Sequence, residues 1–166
     1  MNILLNERIE ILNHQRSFIN FAQSLANFNE SQLREPIDAG KWSVIEIIGH
    51  FYAWDEFILH NRLPYFLTEN TLPPGPEADD LNKQSALLAR QASVQNTIRK
   101  CIRIRTELVE KLESLPPENW VVEFKINNSM LTIYQYFKGL MEHDIHHLNQ
   151  IKQALNILQN KKIKPN

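Results

Sequence analysis

The chain has 166 residues, 43% of them hydrophobic and 22% charged, with 18 basic and 19 acidic side chains for a formal net charge of −1. That composition suits one ordinary globular domain with room for a real core, and the balanced charge excludes a global electrostatic pull on nucleic acid or on an anionic membrane. Only four glycines and one cysteine are present, which favours long uninterrupted helices and excludes an intrachain disulfide.

The N-terminus, Met1-Asn2-Ile3-Leu4-Leu5-Asn6-Glu7-Arg8, brings charge too early for a signal peptide. No segment nears the ~18 apolar residues of a membrane span, so a cytoplasmic location and no membrane partner are expected. Four helical segments then follow. The first runs from Leu4 to Asn29, with Ile9, Leu12, Phe18, Phe21, Ala22 and Leu25 at helical spacing; the stretch Glu35-Pro36-Ile37-Asp38-Ala39-Gly40 ends it. The second opens at Ser43, where Ser43 and Glu46 form a capping box, and reaches Leu67, with Pro64 kinking or ending it. The linker Leu72-Pro73-Pro74-Gly75-Pro76 is stiff and longer with its flanks than a usual bundle loop. It suggests a crossing of the bundle end and a non-sequential order of helices.

The third helix is expected from Asp80 to Leu115, with Leu87, Leu88, Val94, Ile98, Ile102, Leu108 and Leu112 on its apolar side. Cys101 lies within it among Arg99, Lys100, Arg103 and Arg105 and reads as a small core or boundary residue. Trp120 to Ile126 alternates, then meets Asn127-Asn128 and Met130-Leu131. Either a short hairpin or an irregular reach across the bundle mouth fits. A fourth helix from Thr132 to Gln159 starts on a second capping box, Thr132 with Gln135. The remainder, about 160–166 with Lys161, Lys162 and Lys164, reads as a flexible solvated tail. The fold class is all-α: one helical-bundle domain, with Phe18, Phe21, Trp54, Phe57, Ile98, Leu140 and Ile151 expected in its core.

Three of the six histidines fall within His143-Asp144-Ile145-His146-His147. At about 100° per residue, His143 and His147 share one helical face, about 40° apart. Tyr136, Leu140, Ile151 and Ala154 occupy the same sector, so both rings are expected to face the bundle interior, with His146 on the flank. On the second helix His50 shares its sector with Ile47, Trp54, Phe57 and Ile58. Two facing helices can therefore bring His50, His143 and His147 to one level. Three buried imidazoles are hard to satisfy with hydrogen bonds alone, an unmet polar group costing about 1–3 kcal/mol. A divalent ion accepts one lone pair from each ring, and three neutral histidines with an open position suit zinc, nickel or another first-row ion. His14 and His60 read as surface or boundary residues. Glu46 is explained by its cap, with a supporting role behind His50 as the alternative. Asp144 and Glu142 read as solvated helix charges, with holding the rings as the alternative.

Gly40-Lys41-Trp42-Ser43-Val44-Ile45-Glu46-Ile47-Ile48-Gly49-His50 resembles the start of the second helix in the DinB/YfiT-like superfamily. His143-Asp144-Ile145-His146-His147-Leu148-Asn149-Gln150-Ile151 resembles its fourth-helix signature, His-x-x-His-His followed by Gln-Ile. The resemblance extends over the whole chain in element order, but only these two motifs are specific. It implies a four-helix bundle in which His50, His143 and His147 hold a divalent metal. Leu148-Asn149 departs from the Arg-Gly of many relatives, which puts any specificity carried by that Arg in doubt. The family includes transferases for low-molecular-weight thiols such as bacillithiol, proteins loosely described as metal-dependent hydrolases, and many dimers. An S-transferase acting on a small thiol, or a hydrolase of a small substrate, is therefore expected, as a homodimer. A non-catalytic metal-stabilised dimer serving as an interaction or stress-response module is the alternative. No general base stands out among Asp55, Glu56 and Glu142, and Tyr134, Tyr136 and Trp120 read as packing residues, with the pocket mouth as the other reading.

Overall fold

The computed structural model describes residues 2–163, with side chains from 5 to 156. In chain order the elements are α1 (Asn2–Ser24), α2 (Glu30–Arg34), α3 (Val44–Asn61), α4 (Ala78–Gln91), α5 (Val94–Ser114), β1 (Glu123–Ile126), β2 (Ser129–Thr132) and α6 (Ile133–Ile163). The four long helices α1, α3, α5 and α6 form the bundle. Here α3 packs on α5, α5 on α1, and α1 on α6, while α4 lies along α3. The circuit closes where α6 meets α3 through histidine rings. The order around the bundle is thus α1, α5, α3, α6. The successive long helices α1 and α3 stand on a diagonal, as do α5 and α6, so the order is non-sequential as expected; the diagonal steps are made by residues 25–43 and 115–132, whereas the Pro-rich linker, expected to make the crossing, leads through α4 to α5, a neighbour of α3. Among the described residues no helix is long and apolar enough to cross a membrane. Of the expected tail, residues 164–166 and all the side chains lie outside the described part.

Helix boundaries follow local hydrogen bonding. At the start of α3, Glu46 N–H donates to Ser43 Oγ at 3.3 Å and Ser43 N–H to Glu46 Oε2 at 2.7 Å; each satisfies an orphan donor of the helix terminus. Thr132 and Gln135 exchange the same pair of bonds before α6. α1 stops at Ser24, short of the expected Asn29, because Asn29 and Gln32 make a capping box of their own and open α2. α3 ends at Asn61, and Pro64 sits in the single 3-10 turn beyond it.

One expected helix is two. Ala92 and Ser93 are extended, with ψ of 161° and 143°, and they divide the segment between Asp80 and Leu115 into α4 and α5. Ser93 Oγ accepts from Asn96 N–H at 3.1 Å and starts α5. Arg34 of α2 donates to the carbonyls of Arg90 and Ala92 at 3.2 and 2.7 Å, so the last acceptors of α4 are met from outside the helix. Helical phase does not carry through the break. Leu87 and Leu88, expected on the apolar face, are 49% and 57% exposed, and α4 turns Ala86 and Ala89 inward instead. These small side chains let α4 approach closely: a β-carbon at Gly49 of α3 would lie 2.7 Å from Ala89 Cβ.

Of the two readings for the segment before α6, the hairpin forms. Glu123 pairs with Thr132 and Ile126 with Ser129, and Asn127 takes the left-handed turn conformation, φ 52°. The Pro-rich linker docks on it: Leu72 N–H donates to Lys125 O and Lys125 N–H to Asn70 O, both at 2.8 Å.

Two apolar clusters fill the bundle. One holds Phe18, Phe51, Cys101 and Leu148, the other Leu12, Ile58, Leu108 and Met141. Between them each long helix contributes one buried polar side chain: Gln15, Asp55, Arg105 and Asp144, only 1–4% exposed. Phe18, Ile98 and Ile151 lie in the core as expected, whereas Phe21, Trp54, Phe57 and Leu140 are half-buried. The reason on α6 is rotation by about one residue. Its buried stripe is Ile133, Phe137, Met141, Asp144, Leu148, Ile151 and Leu155, so Leu140, His143 and His147 occupy the shoulder of the helix rather than its innermost line.

Candidate metal centre

The shoulder of α6 faces α3. His50, buried on α3, meets His143, which is exposed, and His147, which is half-buried, and one nitrogen of each ring lies within 4.8 Å of the other two. Ring centroids stand 5.3 Å (His50–His143), 5.2 Å (His50–His147) and 4.6 Å (His143–His147) apart. The two α6 rings come together because residues four apart stack on one helical face. His50 reaches them because its helix lies opposite across the α3–α6 seam.

Hydrogen bonds fix the chemistry of two rings. Trp54 Nε1–H can only donate, and it donates to Asn82 Oδ1 at 2.9 Å. That orients the Asn82 amide, and the same Oδ1 lies 3.0 Å from His50 Nδ1. Nδ1 must therefore carry the proton, which leaves a lone pair on His50 Nε2. This atom is buried and has no hydrogen-bond partner among the described residues. His147 repeats the pattern, with Nδ1 2.9 Å from Gln150 Oε1, so donation there leaves its Nε2 lone pair free as well. Burial, reinforced by the neighbouring His147 and His143, pushes His50 down to about 4. Burial also lowers His143 and His147. All three are thus held neutral, the form in which imidazole donates to a metal. An orphaned buried nitrogen, two rings with outward N–H groups anchored on amide oxygens and a third at hand make a donor set suited to a first-row divalent ion.

The remaining histidines stand apart. His146 is exposed, its ring 5.4 Å from that of His147, and His60 is exposed at the end of α3. His14 is a boundary residue, yet it has a partner: Nε2 lies 2.9 Å from Asp144 Oδ2. Asp144 corrects the expectation of a solvated charge, since it is 4% exposed. Its spacing on the apolar stripe of α6 was the signal. Glu142 is exposed. Glu46 holds the α3 cap and pairs with Arg90 Nε at 2.5 Å. Trp120 is buried beside Phe137, and Tyr136 packs against Phe66 and Phe124. Cys101 is fully buried, which raises its thiol pKa and leaves it inert.

A cavity of about 350 Å³ opens along the seam beside His50 and His143, with Trp54 and Leu140 among its walls. Asp55, Arg105 and Asp144 also line it. Arg105 donates through Nε to Asp55 Oδ2 at 2.5 Å and through Nη1 to Asp144 Oδ2 and Gln15 Oε1, both at 2.7 Å. Its guanidinium also lies 3.8 Å from the Phe18 ring centroid. Sequence reasoning missed Arg105 and Asn82. Arg105 falls on the apolar spacing of α5, a readable cue, whereas an isolated Asn on a polar helix carries none. On the other side of the triad His147 faces a cavity of about 250 Å³, lined also by Lys41, Trp42 and Gln150.

Comparison with known proteins agrees with this architecture. A search of curated proteins finds no match to the sequence. Among solved structures, YfiT from Bacillus subtilis, described as a probable metal-dependent hydrolase with an unusual four-helix bundle topology, aligns with a TM-score of 0.71 at 16% identity. The alignment covers 93% of this chain and 87% of that one, and at this identity the likeness is one of fold. The family model of the DinB superfamily matches residues 14–151. That span runs from α1 into α6 and includes His50, His143 and His147, and the chain belongs to the DinB superfamily.

Proposed function

We propose that the chain is a divalent-metal-dependent enzyme that joins a low-molecular-weight thiol to a small electrophile, with His50, His143 and His147 as the metal ligands. The carrying observation is His50 Nε2: a buried lone pair with no partner among the described residues, on a ring clustered with two more neutral imidazoles. Zinc or nickel suits such nitrogen donors. A divalent ion there supplies Lewis-acid polarisation and lowers the pKa of a thiol or water brought to it. The protein's part is to hold the three rings neutral and aligned and to give the reactants separate places. Two cavities flanking the triad, one beside His50 and His143 and one beside His147, provide space for two organic reactants, which favours transfer between them. The second reading is hydrolysis, with water in place of the thiol, and the description of YfiT favours it. We extend the family-based reading to a homodimer, to be checked by light scattering.

The deciding experiment loads tag-free protein with zinc or nickel and offers a small thiol with a chromogenic electrophile, or a chromogenic ester alone. Thiol consumption that needs the metal and is lost in His50→Ala supports transfer; ester cleavage with the same dependence supports hydrolysis. Stoichiometric metal that raises the melting temperature but promotes neither reaction moves the assignment to a metal-stabilised interaction module.

A further inference from the structure

The polar layer at mid-bundle is charge-imbalanced. Two carboxylates, Asp55 and Asp144, face one guanidinium, Arg105, and all three are at most 4% exposed. Burying ions costs several kcal/mol each even after relaxation, and well-packed apolar residues of similar volume usually serve stability as well or better. A layer that keeps these groups beside a cavity next to the histidine triad is therefore poorly explained by stability. It also cannot hold both carboxylates ionised without one unpaired buried charge, unless a proton joins it.

Between the two carboxylates the hydrogen bonds favour Asp55; His14, 2.9 Å from Asp144, is the other group able to carry that proton. Asp144 has three donors: Arg105 Nη1 at 2.7 Å, Arg105 Nη2 at 3.4 Å and His14 Nε2 at 2.9 Å. Asp55 has one, Arg105 Nε at 2.5 Å. The carboxylate with more hydrogen-bond donors keeps its charge and the other takes the proton. The groups packed around Asp55 are Arg105 and Cys101 from α5 and Asp144 from α6; His143 shares its cavity, and His14 acts through Asp144.

We propose that Asp55 is the proton-exchanging group of the cavity, taking the proton of a thiol or water that reacts beside the histidines and returning it to the leaving group. This rests on the metal-dependent reading of the triad. For a thiol R–SH and an electrophile R′–X, the S–H proton passes to the Asp55 carboxylate and its bonding pair stays on sulfur. Sulfur forms the bond to R′ as the R′–X pair departs with X, and the Asp55 acid protonates X. The sum is R–SH + R′–X → R–S–R′ + H–X. For hydrolysis, water replaces the thiol with the same proton path. The electrostatics agree. Burial, with the Asp144 charge adding to it and Arg105 opposing it, pushes Asp55 up to about 7. A carboxyl that exchanges its proton near neutrality is suited to general acid–base work.

The test needs no substrate. The Cγ resonances of ¹³C-aspartate-labelled wild-type protein are followed from about pH 4 to 9 and assigned through the backbone. Asp55 is expected to titrate within about one unit of neutrality, while Asp144 stays ionised. A second readout is the melting temperature of Asp55→Asn against wild type. A native carboxyl raised above its unfolded value of ~3.9 binds a proton that is lost as pH rises, so the contribution of Asp55 to wild-type stability falls across about pH 4–7. The variant, which cannot titrate, should gain on wild type as pH increases from 5 to 8. An Asp55 resonance ionised throughout, a neutral-range proton found on His14 instead, or a variant penalty independent of pH overturns the proposal. The wild-type titration decides even if the variant does not fold. Zinc titration by calorimetry separates the two readings: metal binding with an ionised Asp55 sinks this proposal alone, and a titrating Asp55 without metal binding sinks the metal assignment and, with it, the reaction assigned to Asp55.

Discussion

Asn82 offers a sharp test of how the site is set. Its Oδ1 accepts from both Trp54 Nε1 and His50 Nδ1, at 2.9 and 3.0 Å. Asn82→Leu keeps the volume roughly constant but removes the acceptor. The His50 N–H then loses its partner in a buried site, at about 1–3 kcal/mol. The ring can recover part of this only by moving its proton to Nε2, which occupies the lone pair proposed to bind the metal. Removing such a supporting hydrogen bond typically costs ~10–100-fold in metal affinity, or about 1.4–2.7 kcal/mol. Asn82→Asp keeps an acceptor, now charged, and should bind zinc at least as tightly as wild type. The assay is zinc competition against a chromogenic chelator at pH 7.5 with all three proteins. Equal affinity of Asn82→Leu and wild type would refute the reasoning that the amide sets the His50 tautomer.

His50 is held neutral to about pH 4, below its unfolded value of ~6.5. As pH falls through that window the unfolded chain gains a proton that the fold refuses, so metal-free wild type should lose about 3 kcal/mol relative to His50→Gln, read from denaturant melts. Metal affinity should fall as well once protons compete for the ligand nitrogens, for His50 near pH 4; affinity unchanged below pH 4 in protein that is still folded would exclude these imidazoles as ligands. Arg105→Met leaves two carboxylates buried without their cation, and should destabilise the protein by about 3–5 kcal/mol at pH 8 by urea melts. Gly49→Val drives a side chain into Ala89, 2.7 Å from the first added carbon. It should destabilise by about 1–3 kcal/mol, and because α4 carries Asn82 it should also weaken zinc binding in the chelator assay.

The bundle and its histidines were readable because their signals are local. Ser43 with Glu46, and Thr132 with Gln135, mark helix starts through bonds three residues apart, and His143 with His147 share a face by spacing alone. What escaped depends on contacts distant in sequence. The break at Ala92-Ser93 is completed by Arg34 from α2, and nothing in the periodicity around residue 92 announces it. The phase of α6 read from the sequence is off by one residue because a lone Asp144 reads as a solvent-facing charge. Had it been admitted to the apolar stripe with Phe137, Met141, Leu148 and Ile151, the buried line would have followed. Doing so needs a reason for a charge to be buried. That reason, Arg105, lies on another helix 39 residues away.

The metal assignment names His50, His143 and His147, and not His146, as ligands of a divalent ion. Elemental analysis of protein purified without an affinity tag, after incubation with zinc and removal of excess, tests it most directly. Wild type and His146→Ala should carry close to one ion per chain and melt at higher temperature when zinc is present. His50→Ala, His143→Ala and His147→Ala should carry little and gain little. Full occupancy in any of those three, or loss of the ion in His146→Ala with retention in His147→Ala, would contradict the assignment.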